Sequence, residues 1–226
     1  EGQSDMLLAN LDMLDDFEEL ASDFQGDATK MATVFANPGK ADELNRLNEQ
    51  FEGQGDMLLA NLDKLDDFEE LALDFQGDAT KMATVFANPD KADELKRLND
   101  QFEGQGDMLL ANLDKLDDFE ELALDFQGDA TKMATVFANP EKADELKRLN
   151  DQFEGQGDTF LANLDKLDDF EELASDFQGD ATKMATVFAN PEKADELKRL
   201  NDQFEGQGDT FLANLDKLDD FEELAS

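Results

Sequence analysis

Residues 51–101 read FEGQGDMLLANLDKLDDFEELALDFQGDATKMATVFANPDKADELKRLNDQ, and the same text resumes at Phe102, Phe153 and Phe204, always 51 residues on. Self-similarity at a fixed period decides the architecture before any single element is read. The 226 residues divide into repeat 1 (1–50), repeat 2 (51–101), repeat 3 (102–152), repeat 4 (153–203) and a partial repeat 5 (204–226), which carries only a first helix and caps the array. Repeats 2 and 3 differ only at Asp90 against Glu141. Likeness of this degree marks recent duplication or a designed consensus array, so invariance between copies says little about which residues matter.

Three helices are expected in each repeat. In repeat 2 the first starts at the N-cap Asp56 and runs to about Phe75, with Leu58, Leu62, Leu65, Phe68, Ala72 and Phe75 three or four apart on one apolar stripe. Gly77 supplies the left-handed stop. Asp78 caps a shorter second helix in which Ala79, Met82, Ala83 and Phe86 share a face. Asn88-Pro89 joins an N-cap to a proline at the first helical position, where its missing N–H costs nothing, and opens a third helix bearing Ala92, Leu95, Leu98 and Phe102. Expected lengths are roughly 19, 10 and 15 residues, or about 28, 15 and 22 Å at the helical rise.

The link Gly104-Gln105-Gly106-Asp107 is as short as the turns within a repeat and lacks the composition of a flexible linker. A single 51-residue unit is marginal on its own, so neighbours are expected to bury surface against each other. The fold class is therefore all-α, tandem three-helix repeats in a solenoid-like array, with a string of separate bundles as the alternative. Positions that vary between copies are expected to face water: Met13 against Lys64, Asn45 against Lys96, and Gly39, Asp90, Glu141 and Glu192 after the proline. Met57-Leu58 against Thr159-Phe160, and Leu73 against Ser175, fit either a contact between units or an apolar outer patch.

Lys and Arg number 19 against 58 Asp and Glu, a formal net charge of -39. That field opposes nucleic acid and anionic lipid, and no apolar run is long enough for membrane insertion. The chain has no Cys and no His, which removes disulfides, the usual zinc ligands and the common nucleophile–base pairs. No enzyme activity and no cofactor are expected.

One constellation stands out. Asp63, Asp66, Asp67, Glu70 and Asp74, with their counterparts in the other repeats, form an acidic stripe opposite the apolar one. It reads first as a solvated face and second as a surface for weak Ca or Mg association or for a basic protein. Lys91, Lys96 and Arg97 of the third helix are placed to offset it if the helices lie side by side. The stretch from Asn99 superficially matches a calcium loop, but its twelfth position is Leu110, where an EF-hand needs a bidentate Glu. The phenylalanines, four in repeat 2 as Phe51, Phe68, Phe75 and Phe86, read as core, and Gly53-x-Gly55 follows no strand and makes no phosphate cradle.

The signatures of tetratricopeptide, ankyrin and leucine-rich repeats are absent, and no armadillo motif carries over. Near-identical helical units in series resemble the stalk regions of microbial surface proteins, a likeness of architecture alone. It implies a non-enzymatic structural spacer, a segment of a longer acidic protein at a cell surface or in an extracellular fibre. Its partners would be neighbouring repeats or copies of itself. A multivalent array for a basic partner is the alternative.

Overall fold

The computed structural model describes residues 7–225. They form an all-helical protein, and no strand occurs among them. The chain divides into two compact units, Glu1–Leu116 and Asp117–Ser226. In the first, α1 (Leu14–Asp23), α2 (Ala28–Ala36), α3 (Ala41–Gln50), α4 (Gly55–Ala60), α5 (Leu65–Asp74), α6 (Ala79–Ala87), α7 (Ala92–Gln101) and α8 (Gly106–Ala111) follow in order. Helix α9 (Leu116–Asp125) begins at the division. The second unit continues with α10 (Ala130–Phe137), α11 (Ala143–Gln152), α12 (Gly157–Ala162), α13 (Leu167–Asp176), α14 (Ala181–Phe188), α15 (Ala194–Gln203), α16 (Gly208–Leu212) and α17 (Leu218–Ala225).

The long first helix expected from the hydrophobic spacing is broken. Asn61 leaves helical geometry at φ -128°, ψ 47°, and its Nδ2 turns back to donate to the Met57 carbonyl at 2.9 Å. A 3-10 turn, Leu62–Lys64, then restarts the chain into α5. The same device recurs before the third helix. Asn88, at φ -133° and ψ 58°, donates from Nδ2 to the Thr84 carbonyl at 2.8 Å, and Pro89–Lys91 forms the 3-10 turn into α7. Both asparagines cap the end of the preceding helix, so Asn88 is not the side-chain N-cap anticipated for the third. An amide one methylene from the backbone competes well for a carbonyl at a helix end.

Asp56 is likewise no N-cap. Helix α4 opens one residue earlier at Gly55, and Asp56 sits in its first turn. Asp78 does cap α6, accepting from Thr80 N at 2.9 Å and Lys81 N at 3.1 Å. At the end of α5, Gly77 N–H bonds the Ala72 carbonyl at 2.7 Å and Gln76 N–H the Leu73 carbonyl at 3.0 Å. This pairing is a Schellman motif. Its left-handed position belongs to Gln76 (φ +54°), and Gly77 (φ +70°) extends it by one residue.

Side chains from all three segments fill the core. Leu58, Leu65, Phe68, Leu71, Ala72, Phe75, Met82, Val85, Phe86, Ala92, Leu95, Leu98 and Phe102 are buried, while Leu62 is only half-buried. The second helix departs from expectation: Ala79 and Ala83 are exposed, and Val85 takes the inward place. Turning α6 this way hides three large side chains at the cost of exposing two methyl groups, and apolar burial scales with area. Phe86 receives edge contacts from Phe51 at 5.2 Å and Phe68 at 5.3 Å between ring centres. In the second unit Phe160, where repeat 2 has Leu58, adds a ring 4.9 Å from Phe188. It is fully buried, so this variable site is core. Leu73, in contrast, is 74% exposed.

In the first unit α3 packs against α1 of its own repeat and against α4 and α5 of the next, α5 packs on α6 and α7, and α7 packs on α8. The second unit repeats the arrangement: α11 meets α12 and α13, α13 meets α14 and α15, and α15 meets α16 and α17. Third helices therefore have partners on two sides.

A non-glycine residue in the left-handed region costs roughly 1 kcal/mol. Replacing Gln25, Gln76, Gln127 and Gln178 by glycine should raise the midpoint of thermal unfolding, followed by circular dichroism, with each site contributing at most about 1 kcal/mol because glycine also gains entropy in the unfolded chain.

Candidate functional site

The acidic stripe of repeat 2 does not converge on one site. Asp63 stands at the surface. Asp66 turns to the preceding repeat, accepting from Lys40 Nζ at 2.9 Å. Glu70 faces the third helix of its own repeat, with Lys96 Nζ at 2.6 Å, and Asp74 accepts from Asn99 Nδ2 at 2.7 Å. Asp67 is half-buried, and burial, followed by repulsion from Asp93, pushes its carboxyl above the usual range. Among the described residues no three acidic, His or Cys side chains gather in a group that could hold a metal ion.

The third-helix cations divide between two neighbours. Lys96 joins Glu70 of its own repeat to Asp100 of its own helix, at 2.6 and 2.8 Å, and these two carboxylates hold its ammonium well above the ordinary lysine value. Lys40, at the end of the 3-10 turn before α3, and Arg46 of α3 reach forward to Asp66 and Glu69 of repeat 2, both at 2.9 Å. In the second unit Lys147 pairs with Glu121 at 2.6 Å, and Arg148 with Glu171 of repeat 4 at 2.7 Å. These pairs are partly exposed, worth at most about 1 kcal/mol each, and act chiefly by fixing which helix faces which.

Repeat 1 lacks the backward-facing cation. Asn45 is buried rather than at the surface as its variability suggested; its Nδ2 meets Glu19, and its Oδ1 has no hydrogen-bond partner. The swap is tolerated because a lysine here lays its stem on the core and keeps its ammonium at the rim, whereas asparagine stays inside.

Where one repeat meets the next, an open groove is formed, of about 470 Å³ in repeat 2 and about 420 Å³ in repeat 3. Phe75 forms its floor. Lys81 Nζ lies 5.5 Å from the centre of that ring and 2.5 Å from Asp107 Oδ1 of the following repeat. Asp100 and Glu103 stand on the rim. The same arrangement recurs with Phe126, Lys132 and Asp158, and with Phe177, Lys183 and Asp209, each pair 2.5 Å apart. The place that a bound cation would take on the aromatic face is thus held by the chain's own lysine.

Gly106 makes this junction close. It is buried at the start of α8, and a Cβ there would lie 2.6 Å from Asn99 Oδ1 and 2.9 Å from Phe75 Cε1. The glycine pair of the link therefore has two separate roles, since Gly104 takes the left-handed turn (φ +84°) and Gly106 admits the neighbouring ring. No helix among the described residues is long and apolar enough to cross a membrane. Comparison with known protein families, with curated proteins and with solved structures finds no match.

Two substitutions check this geometry by urea unfolding. Gly106→Ala forces Phe75 or Asn99 to move and should destabilise by about 1–3 kcal/mol, the usual cost of overpacking. Asn45→Lys should restore in repeat 1 the bridge to Glu19 and gain up to about 1 kcal/mol.

Proposed function

We propose that the chain is a non-enzymatic structural spacer, a solenoid-like stack of 51-residue units that sets distance by copy number. The observation that carries this reading is the double engagement of the third helix, which packs on a first helix of its own repeat and on that of the next. Adding a unit then adds one more junction of the same chemistry and no new site. The chain's own cations also occupy part of the carboxylates that a multivalent array would offer, as Lys40, Lys96 and Lys81 do at Asp66, Glu70 and Asp107. A net charge of -39 keeps such a segment soluble and repels nucleic acid and anionic lipid. A cell surface or an extracellular fibre is the setting that suits it, as part of a longer acidic protein.

Removing residues 51–101 joins repeat 1 to repeat 3 in register. Small-angle scattering should show the maximum dimension shortened by a fixed increment, and removal of a second unit should shorten it by the same amount again, with helicity per residue unchanged. Unequal increments, or loss of the cooperative transition, would refute the spacer. Saturable binding of calcium or of a polylysine peptide at one per repeat and micromolar concentration would establish the multivalent array in its place.

A further inference from the structure

Three groups recur at the junctions between adjacent repeats. Lys40 Nζ lies 2.8 Å from Glu43 Oε2 and 2.9 Å from Asp66 Oδ2; Lys142 stands at 2.8 and 3.1 Å from Glu145 and Asp168; Lys193 stands at 2.8 and 3.2 Å from Glu196 and Asp219. The lysine ends the 3-10 turn before the third helix, the glutamate lies in that helix's first turn, and the aspartate belongs to the first helix of the following repeat. One ammonium serves two carboxylates, so each junction holds a surplus negative charge. The glutamate is the shielded member. Glu196 is 7% exposed and its Oε1 has no hydrogen-bond partner.

The remaining charges around Glu43 are engaged with one another. Asp42 and Arg46 pair on its own helix, Arg46 continues to Glu69 on α5, and on the α1 side Glu19 is bonded by Asn45. The cation that pairs with Glu43 is Lys40, which is shared with Asp66, and a proton is the simplest species that can neutralise the surplus charge.

We propose that this lysine–glutamate–aspartate triad is a proton-operated latch, in which mild acid protonates the shielded glutamate, lets it donate to the aspartate of the next repeat, and tightens the junction. One proton from solvent is taken up per junction. The lysine stays charged and remains on the aspartate.

The carboxyl pair is split in the direction this requires. Burial raises Glu43 above the ordinary 4.5, and the closeness of Asp66, which favours the acid form that can donate to it, raises it further against the opposing pull of Lys40. Asp66 is held below 3.8, first by Lys40 and then by Glu43. Glu145 with Asp168 and Glu196 with Asp219 divide the same way. A carboxyl raised on folding binds more protons in the folded state, so its contribution grows as pH falls from neutrality toward 4.5. The lowered aspartate contributes above 3.8 and loses its contribution as pH drops through its folded value. Stability should therefore peak in mild acid and fall below it.

General relief of charge repulsion acts in the same direction, and a matched pair of variants removes it. One carries Glu43, Glu145 and Glu196→Gln, in which each amide imitates the protonated acid; the other carries the exposed Glu52, Glu154 and Glu205→Gln, with the same change in net charge. Melting midpoints are recorded at pH 5 and pH 7. The control should gain as much as the wild type on acidification. The junction variant should melt higher than the control at pH 7 and gain less at pH 5, by about 3 °C or more in each comparison. Equal gains in the two variants, or a junction variant that melts below the control at pH 7, would overturn the proposal. Carboxyl carbon NMR of the wild type, which needs no variant to fold, should show a set of glutamates titrating above 4.5; if none does, the latch fails.

Discussion

The structure depends on the third helix of each repeat having two partners. An isolated 51-residue unit of short helices covers too little apolar surface to be more than marginal. The chain meets this constraint by making α3 lie against α1 on one side and α4 and α5 on the other, so that a single row of Leu44, Leu47 and Ala41 is covered from both directions. Glycine at the entry to the next repeat, the phenylalanine it admits and the cations that reach forward and backward all serve that double contact. The acidic stripe, which looked in sequence like one feature, is divided between the two partners for the same reason.

Much of this was legible in advance and some was not. The period, the helical class and the buried leucines followed from spacing, and Asp78 announced its helix by a mechanism that is local and strong. The break at Asn61 was hidden because the 3-10 turn after it leaves Leu58, Leu62 and Leu65 at helical intervals, so the apolar pattern passes through unchanged. The sign was present elsewhere: Asn61-Leu62-Asp63-Lys64 and Asn88-Pro89-Asp90-Lys91 share a frame, and only the second carries a proline to draw the eye. For α6, spacing alone could not choose between Ala83 and Val85 as the inward residue, because the choice lies in the volumes that neighbouring helices leave.

The candidate site was the least legible part. Carboxylates on one helix face can be listed from sequence, but their partners lie 23 to 26 residues away, as Arg46 does from Glu69 and Lys40 from Asp66. Gly106 reads as half of a turn, and its real constraint is a ring from the previous repeat. Asn45 misled in the opposite way, because exchange with lysine normally marks a wet position, yet a long aliphatic stem allows a charged residue to share an address with a buried amide.

One further consequence follows from the sameness of the junctions. A nascent chain in which every first helix fits every third helix offers its segments several equivalent mates, and repeat proteins are prone to misassembly on these terms. Asn45, where later third helices carry lysine, and Phe160 and Phe211, where repeats 2 and 3 carry leucine, break the equivalence, since each alters its own mating surface. Such departures from consensus act as register marks, which bias particular segments toward their proper neighbours while identical ones are sorted by proximity along the chain.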